Sequence, residues 1–95
     1  PDYKDSYRLL GENYIKLGNG IKAIEALTKY LEIENDKQER ALAHFFRAEA
    51  FFLMGDETRW CSEFKVAYRN SKFKKNLQEI LRIRNKYLDR YCFLN

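Results

Sequence analysis

One histidine and two cysteines are the residues of this chain with the widest chemical repertoire. Their number limits what they can do. A Cys–His nucleophile needs the two side chains adjacent and a third group to orient the imidazole. His44 and Cys61 lie in separate segments, and Phe45 and Phe46 follow His44, the setting of a structural histidine. A tetrahedral zinc site needs four ligands, whereas His44, Cys61 and Cys92 are three. Cys61 and Cys92 form no disulfide framework. Each sits in an apolar, helix-like stretch, so both read as small buried hydrophobes rather than a bonded pair. On that reading they do not report the redox compartment. Asp56 and Glu57 stand at the start of a helical segment, where carboxylates cap free N–H groups and complement the dipole. No Gly-x4-Gly-Lys-Ser/Thr or Gly-x-Gly-x2-Gly loop cradles a phosphate. The expectation is a non-enzyme: no catalytic residues, no metal and no cofactor.

What remains is surface, and helices must position it. The chain of 95 residues is one small domain, far short of the roughly 250 that a (β/α)8 barrel needs. With 45% hydrophobic and 34% charged residues it is globular rather than disordered. One proline and four glycines are too few turn signals for an all-β sandwich, so the chain is expected to be all-α. No apolar run reaches the roughly 18 residues that span a membrane. The sequence begins at Pro1 rather than Met, as expected of a piece of a longer protein.

Breakers at Gly18-Asn19-Gly20, the charged stretch 34–40 (ENDKQER), Gly55-Asp56 and Arg69 to Lys72 divide the chain into five segments. Segment 6–17 carries Tyr7, Leu10, Tyr14 and Leu17 at helical steps, with Asp5 or Ser6 as its cap and Gly18 as its stop. Segment 20–33 has an apolar stripe of Ile21, Ile24, Leu27, Tyr30 and Leu31. Segment 36–54 opens on Asp36 with Glu39 three residues on, the signature of a reciprocal cap, and is apolar almost all round. Segments 56–70 and 71–93 complete the set. Charge is split along the chain. Residues 1–64 hold nine Lys/Arg against twelve Asp/Glu, a net −3; residues 65–95 hold nine against two, a net +7.

Shifted by 37 residues, the chain matches itself. Glu12 falls on Glu49, Tyr14 on Phe51, Gly18 on Gly55, Asn19 on Asp56 and Leu27 on Phe64, with Gly11 on Ala48. The first four segments are thus two copies of one helix–turn–helix unit, and neither copy buries its apolar face alone. Tyr7-x2-Leu10-Gly11-x2-Tyr14, then Gly18, then Ala23-x3-Leu27, resembles a tetratricopeptide repeat. The second copy reads Arg47-Ala48-x2-Phe51, Gly55, Trp60-x3-Phe64-x2-Ala67. Asn35 and Lys72 replace the closing proline, Tyr30 stands where the family prefers Ala, and Trp60 falls on Ala23. The spacing exceeds the usual 34 residues by three, an insertion placed in 34–40. The run ALAHFFRAEAFFLMGD (41–56) is similar to repeats of bacterial envelope proteins, the outer-membrane assembly lipoprotein and Tol-associated families.

The resemblance implies an α-α superhelix: unit one at about 4–35, unit two at about 38–70, and a capping helix at about 71–93 that equally fits the first helix of a third unit. It implies a groove lined by the first helix of each unit, here Asp5, Arg8, Glu12, Ile15 and Lys16, then Leu42, Phe45, Glu49, Phe52 and Leu53. Glu12 and Phe46 stand where a carboxylate-clamping groove carries Asn, and a glutamate repels a carboxylate, so a clamp for chain termini is rejected. The groove is expected to take a peptide or helix of a partner protein by apolar anchors flanked by charge. The alternatives are self-association, with the fifth helix or a second copy filling the groove, and binding of nucleic acid or an anionic surface. The latter would use Lys72, Lys74, Lys75, Arg82, Arg84, Lys86 and Arg90, with Tyr87 and Tyr91 interleaved. A periplasmic or membrane-associated location through a missing N-terminal segment, or a cytoplasmic one, both remain open.

Overall fold

Each of the first three breakers marks a helix boundary. The computed structural model describes residues 3–70 and 92. Among them are four α-helices and no strand: α1 Tyr3–Lys16, α2 Gly20–Ile33, α3 Lys37–Leu53 and α4 Glu57–Tyr68. The expected closing helix at 71–93 lies, Cys92 aside, outside the described residues. α1 packs on α2, α2 on α3 and α3 on α4, and α1 also touches α3. We refer to α1–α2 and α3–α4 as the first and second hairpins.

The two hairpins turn in the same way, 37 residues apart. Gly18 and Gly55 adopt φ of 76° and 74°, a left-handed conformation that glycine takes without steric cost. Around each, two hydrogen bonds close the preceding helix. Gly18 N–H donates to the Ile15 carbonyl and Asn19 N–H to that of Tyr14; Gly55 N–H donates to Phe52 and Asp56 N–H to Phe51. This is the Schellman closure. The next residue then caps the following helix: Asn19 accepts from Lys22 N–H and Asp56 from Arg59 N–H, each at 3.1 Å.

Close approach sets the spacing within and between hairpins. A Cβ on Gly11 would lie 2.6 Å from Leu27 Cγ, so α1 and α2 meet at van der Waals contact. Gly20 meets the next hairpin equally closely, its virtual Cβ 2.7 Å from the Ala50 carbonyl oxygen and 2.9 Å from Met54 Cγ. The largest buried cluster lies between α3 and α4 and includes Phe45, Ala48, Phe51, Trp60 and Phe64. A second joins Tyr30 and Leu31 of α2 to Ala43 of α3, with Tyr7 packed against it. The bulky Tyr30 is therefore accommodated as an inter-hairpin core residue. Trp60 is buried with its ring 5.1 Å from that of Phe52.

Four expectations are corrected. α1 starts at Tyr3, so Asp5 lies in its first turn and does not cap it. Leu10 and Ile21 are exposed, because only part of each apolar stripe meets a neighbouring helix. Asp36 caps α3 by accepting from Glu39 N–H at 2.9 Å, but the reciprocal bond is absent, since Asp36 N–H donates to Glu34 Oε1 at 3.1 Å. Finally, Cys61 and Cys92 are bonded to each other, with their Cα atoms 5.2 Å apart. Thirty-one residues separate them, so no local spacing foretells the pair. Closing a loop of that size stabilises a fold by about 2–4 kcal/mol.

Gly11→Ala is expected to destabilise the protein by about 1–3 kcal/mol in urea unfolding, because fully buried Leu27 cannot retreat from the added methyl. A midpoint equal to that of the parent protein contradicts the close packing of α1 on α2.

Candidate functional site

The residues expected to line a groove lie on α1 and α3, which meet at one ion pair. Arg8 Nη1 is 3.4 Å from Glu39 Oε2, and Tyr30 Oη donates to the same oxygen at 3.4 Å. Burial pushes the Tyr30 phenol well above its ordinary value, with Glu34 and Glu39 adding to the effect. The phenol thus stays a neutral donor. Arg8 thus ties α1 to α3, with its side chain still 30% exposed. Glu12, Ile15 and Glu49 are half-buried and Lys16 is exposed. Phe52 and Leu53 are 46% and 47% exposed at the end of α3, Phe52 leaning on Trp60.

Phe45 is placed differently from the expectation. It is 8% exposed, with its ring 6.3 Å from Phe64 and 5.7 Å from Phe46. It is a core residue between α3 and α4, because on this helix the apolar arc is wide enough to face both α4 and the α1 side. The expected basic patch of Lys74, Lys75, Arg82, Lys86 and Arg90 lies outside the described residues, as do Lys72, Arg84, Tyr87 and Tyr91.

A polar cluster that spacing alone does not reveal joins three helices. Glu63 of α4 is gripped by His44 and Arg47 of α3: His44 Nδ1 stands 2.7 Å from Oε2, and Arg47 Nη2 donates to Oε1. Arg47 Nη1 also donates to Thr28 Oγ1 of α2 at 3.3 Å. Burial raises the Glu63 carboxyl, but the hydrogen bonds from His44 and Arg47 outweigh it and hold the group below the usual carboxylate range. A carboxylate only accepts, so the His44 Nδ1 carries the proton. The one available signal was the i, i+3 placement of His44 and Arg47 on one face of α3, a weak one. His44 is thus tied to an ionic partner on α4 and not only set beside aromatic neighbours. His44 and the bonded Cys61 do not form a nucleophile pair. No group of three potential metal ligands occurs among the described residues. No described helix is long and apolar enough to cross a membrane.

The linker between hairpins is a second polar knot. Glu34 is buried and bonded to Lys4 of α1 at 2.8 Å. The Lys4 hydrogen bond holds its carboxyl low, against the desolvation that raises it. Arg40 Nη1 donates to the carbonyls of Leu31 and Glu34, at 2.8 Å to the latter. It so places a cation at the carboxyl end of α2, where the helix dipole favours one.

Because the folded Glu63 pKa lies below its unfolded value, its contribution is present at neutral pH and is lost as pH falls through the folded value. Glu63→Gln is expected to cost about 1–3 kcal/mol at pH 7, and progressively less below about pH 4.3. Urea unfolding across pH checks this, and a penalty unchanged down to acid pH contradicts it. In comparisons with known proteins no family model, curated protein or solved structure matches the chain.

Proposed function

We propose that this chain is a non-catalytic protein-interaction module of tetratricopeptide-like type, two helical hairpins that stack and hold a peptide or helix of a partner along α1 and α3. The observation that carries this reading is the repetition of geometry at the sequence offset. The Schellman turn and the Asn19/Asp56 cap recur 37 residues apart. So does a cation over an aromatic ring: Lys22 over Tyr14 and Arg59 over Phe51, each at 5.8 Å. Such repetition is what a stacked array needs, since each unit buries its apolar face only on a neighbour.

The exposed anchors of the groove are Phe52 and Leu53, flanked by Lys16, Glu12 and Glu49. Phe45, expected beside them, is buried. Proteins captured by the full chain from the native extract are expected to be lost on Phe52→Asp plus Leu53→Asp, in a variant whose circular dichroism matches the parent. Capture of the same proteins by that variant sinks the groove reading.

The Cys61–Cys92 bond supports work in an oxidising compartment, because cytosolic thiol pools keep such pairs reduced. The envelope-type resemblance of residues 41–56 agrees. Protein trapped in acid from its native cells and alkylated without reductant is expected to show no reaction at either cysteine; labelling of both in fresh material overturns this placement.

A further inference from the structure

The 37-residue offset relates two faces of the molecule, and one of them displays its occupant. Tyr14 corresponds to Phe51, Leu10 to Arg47, Lys22 to Arg59 and Ala26 to Glu63. In the second hairpin the part of this face around Arg47 and Phe51 lies against α2, while Arg59 is exposed beside Asp56. Phe51 is 7% exposed, Ile24 of α2 packs against the cluster that holds it, and Arg47 reaches Thr28. The covering helix presents Ile24, Thr28 and Leu31, at steps of four and three, with exposed Glu25 and Glu32 beside that stripe.

The matching face of the first hairpin is an open notch of about 180 Å³, floored by Tyr7, Leu10, Tyr14 and Ala26 and rimmed by Lys22 and Lys29 with Glu25. Leu10 is 45% exposed there. Lys22 Nζ stands 5.8 Å from the Tyr14 ring centre and Lys29 Nζ 5.6 Å from that of Tyr7. Both ammonium groups are so positioned at the rim, where they meet solvent or an incoming anion.

We propose that this notch binds an amphipathic helix of a partner protein, one whose narrow apolar stripe is flanked by carboxylates, in the manner in which α2 covers the second hairpin. The stripe fills the aromatic floor, and the carboxylates pair with Lys22 and Lys29. The proposal rests on the reading of the chain as an interaction module, but on the face opposite α3 rather than on the groove. Phe52→Asp plus Leu53→Asp therefore leaves it intact, and the two readings fail separately.

The probe is a hydrocarbon-stapled peptide with the sequence of α2, residues 20–33, titrated into the isotope-labelled full chain. Saturable amide shifts at Tyr7, Leu10, Tyr14 and Ala26 are expected. Leu10→Asp is expected to remove them. Lys22→Glu plus Lys29→Glu is expected to weaken binding by about tenfold or more, a loss on the order of 1.4 kcal/mol. A peptide carrying Glu25→Lys and Glu32→Lys should bind the parent weakly and regain affinity for the charge-reversed protein. Absence of shifts at about 1 mM peptide, the weak end of useful affinity, overturns the proposal. So do shifts confined to other faces, or equal affinity for both peptides. Sedimentation showing a dimer that Leu10→Asp dissociates also overturns it, making a second copy of the chain the occupant.

Discussion

At Gly11 the backbone of α1 comes so near to α2 that a single methyl group would lie 2.6 Å from Leu27 Cγ. Leu27 has no solvent exposure, so it has nowhere to go. At Gly20, on the same helix α2, a methyl would strike the Ala50 carbonyl of α3. Helix α2 thus sits in close contact with both neighbours, because Gly11 and Gly20 carry no side chain to hold them apart. The remaining contacts depend on that placement. Only with α2 at this depth do Tyr30 and Leu31 reach Ala43, and Thr28 reach Arg47. Dispersion falls steeply with separation, so a few tenths of an ångström of added gap would forfeit much of this packing.

Each hairpin has an apolar core, in the second beside the Glu63 cluster; between hairpins many contacts are polar. Arg8 and Tyr30 share Glu39, Lys4 holds Glu34, and Arg40 closes the end of α2. The division has a physical basis. Apolar burial is non-directional and tolerates sliding. Hydrogen bonds between part-buried charged groups are directional, and leaving one unpaired is costly. The hairpins therefore draw stability from their cores, and the linker fixes how the second sits on the first. The linker residues between Glu34 and Arg40 supply this knot.

Much of this was legible in the sequence. Helical periodicity places α2 at its observed bounds and α3 within a residue of its expected ones. The two glycine turns and the Asp56 cap follow from residue types whose backbone preferences are local. What was not legible depends on tertiary placement. Phe45 and Phe52 share one arc of α3, and tertiary placement decides that Phe45 is core while Phe52 is 46% exposed. Glu39 is a good capping partner for Asp36 in isolation, yet Arg8 and Tyr30 compete for its carboxylate across the fold. Cys61 and Cys92 looked alike as buried hydrophobes because each is apolar in its own segment, and their pairing is a fact of three dimensions. His44 was read from its phenylalanine neighbours, and its bond to Glu63, 19 residues away in the chain, had no local signal.

The two hairpins differ most where their geometry is most alike. Tyr7, Leu10 and Ala26 of the first occupy the register positions of His44, Arg47 and Glu63 of the second. An aromatic and aliphatic surface in one has become a hydrogen-bonded ionic cluster in the other. Each is compatible with a helix laid across it, but they select differently. The ionic cluster offers Arg47 to a neighbour, and α2 answers with the Thr28 hydroxyl. A helix with an aliphatic residue at that place would leave Arg47 Nη1 without the hydroxyl acceptor, though Nη2 keeps Glu63, and this disfavours the wrong helix. The aromatic face of the first hairpin imposes no such test at its floor, and its selectivity lies in the charge at the rim. Substitution at matched positions thus gives one repeated scaffold an ionic face met by its own α2 on one hairpin and an open aromatic face on the other.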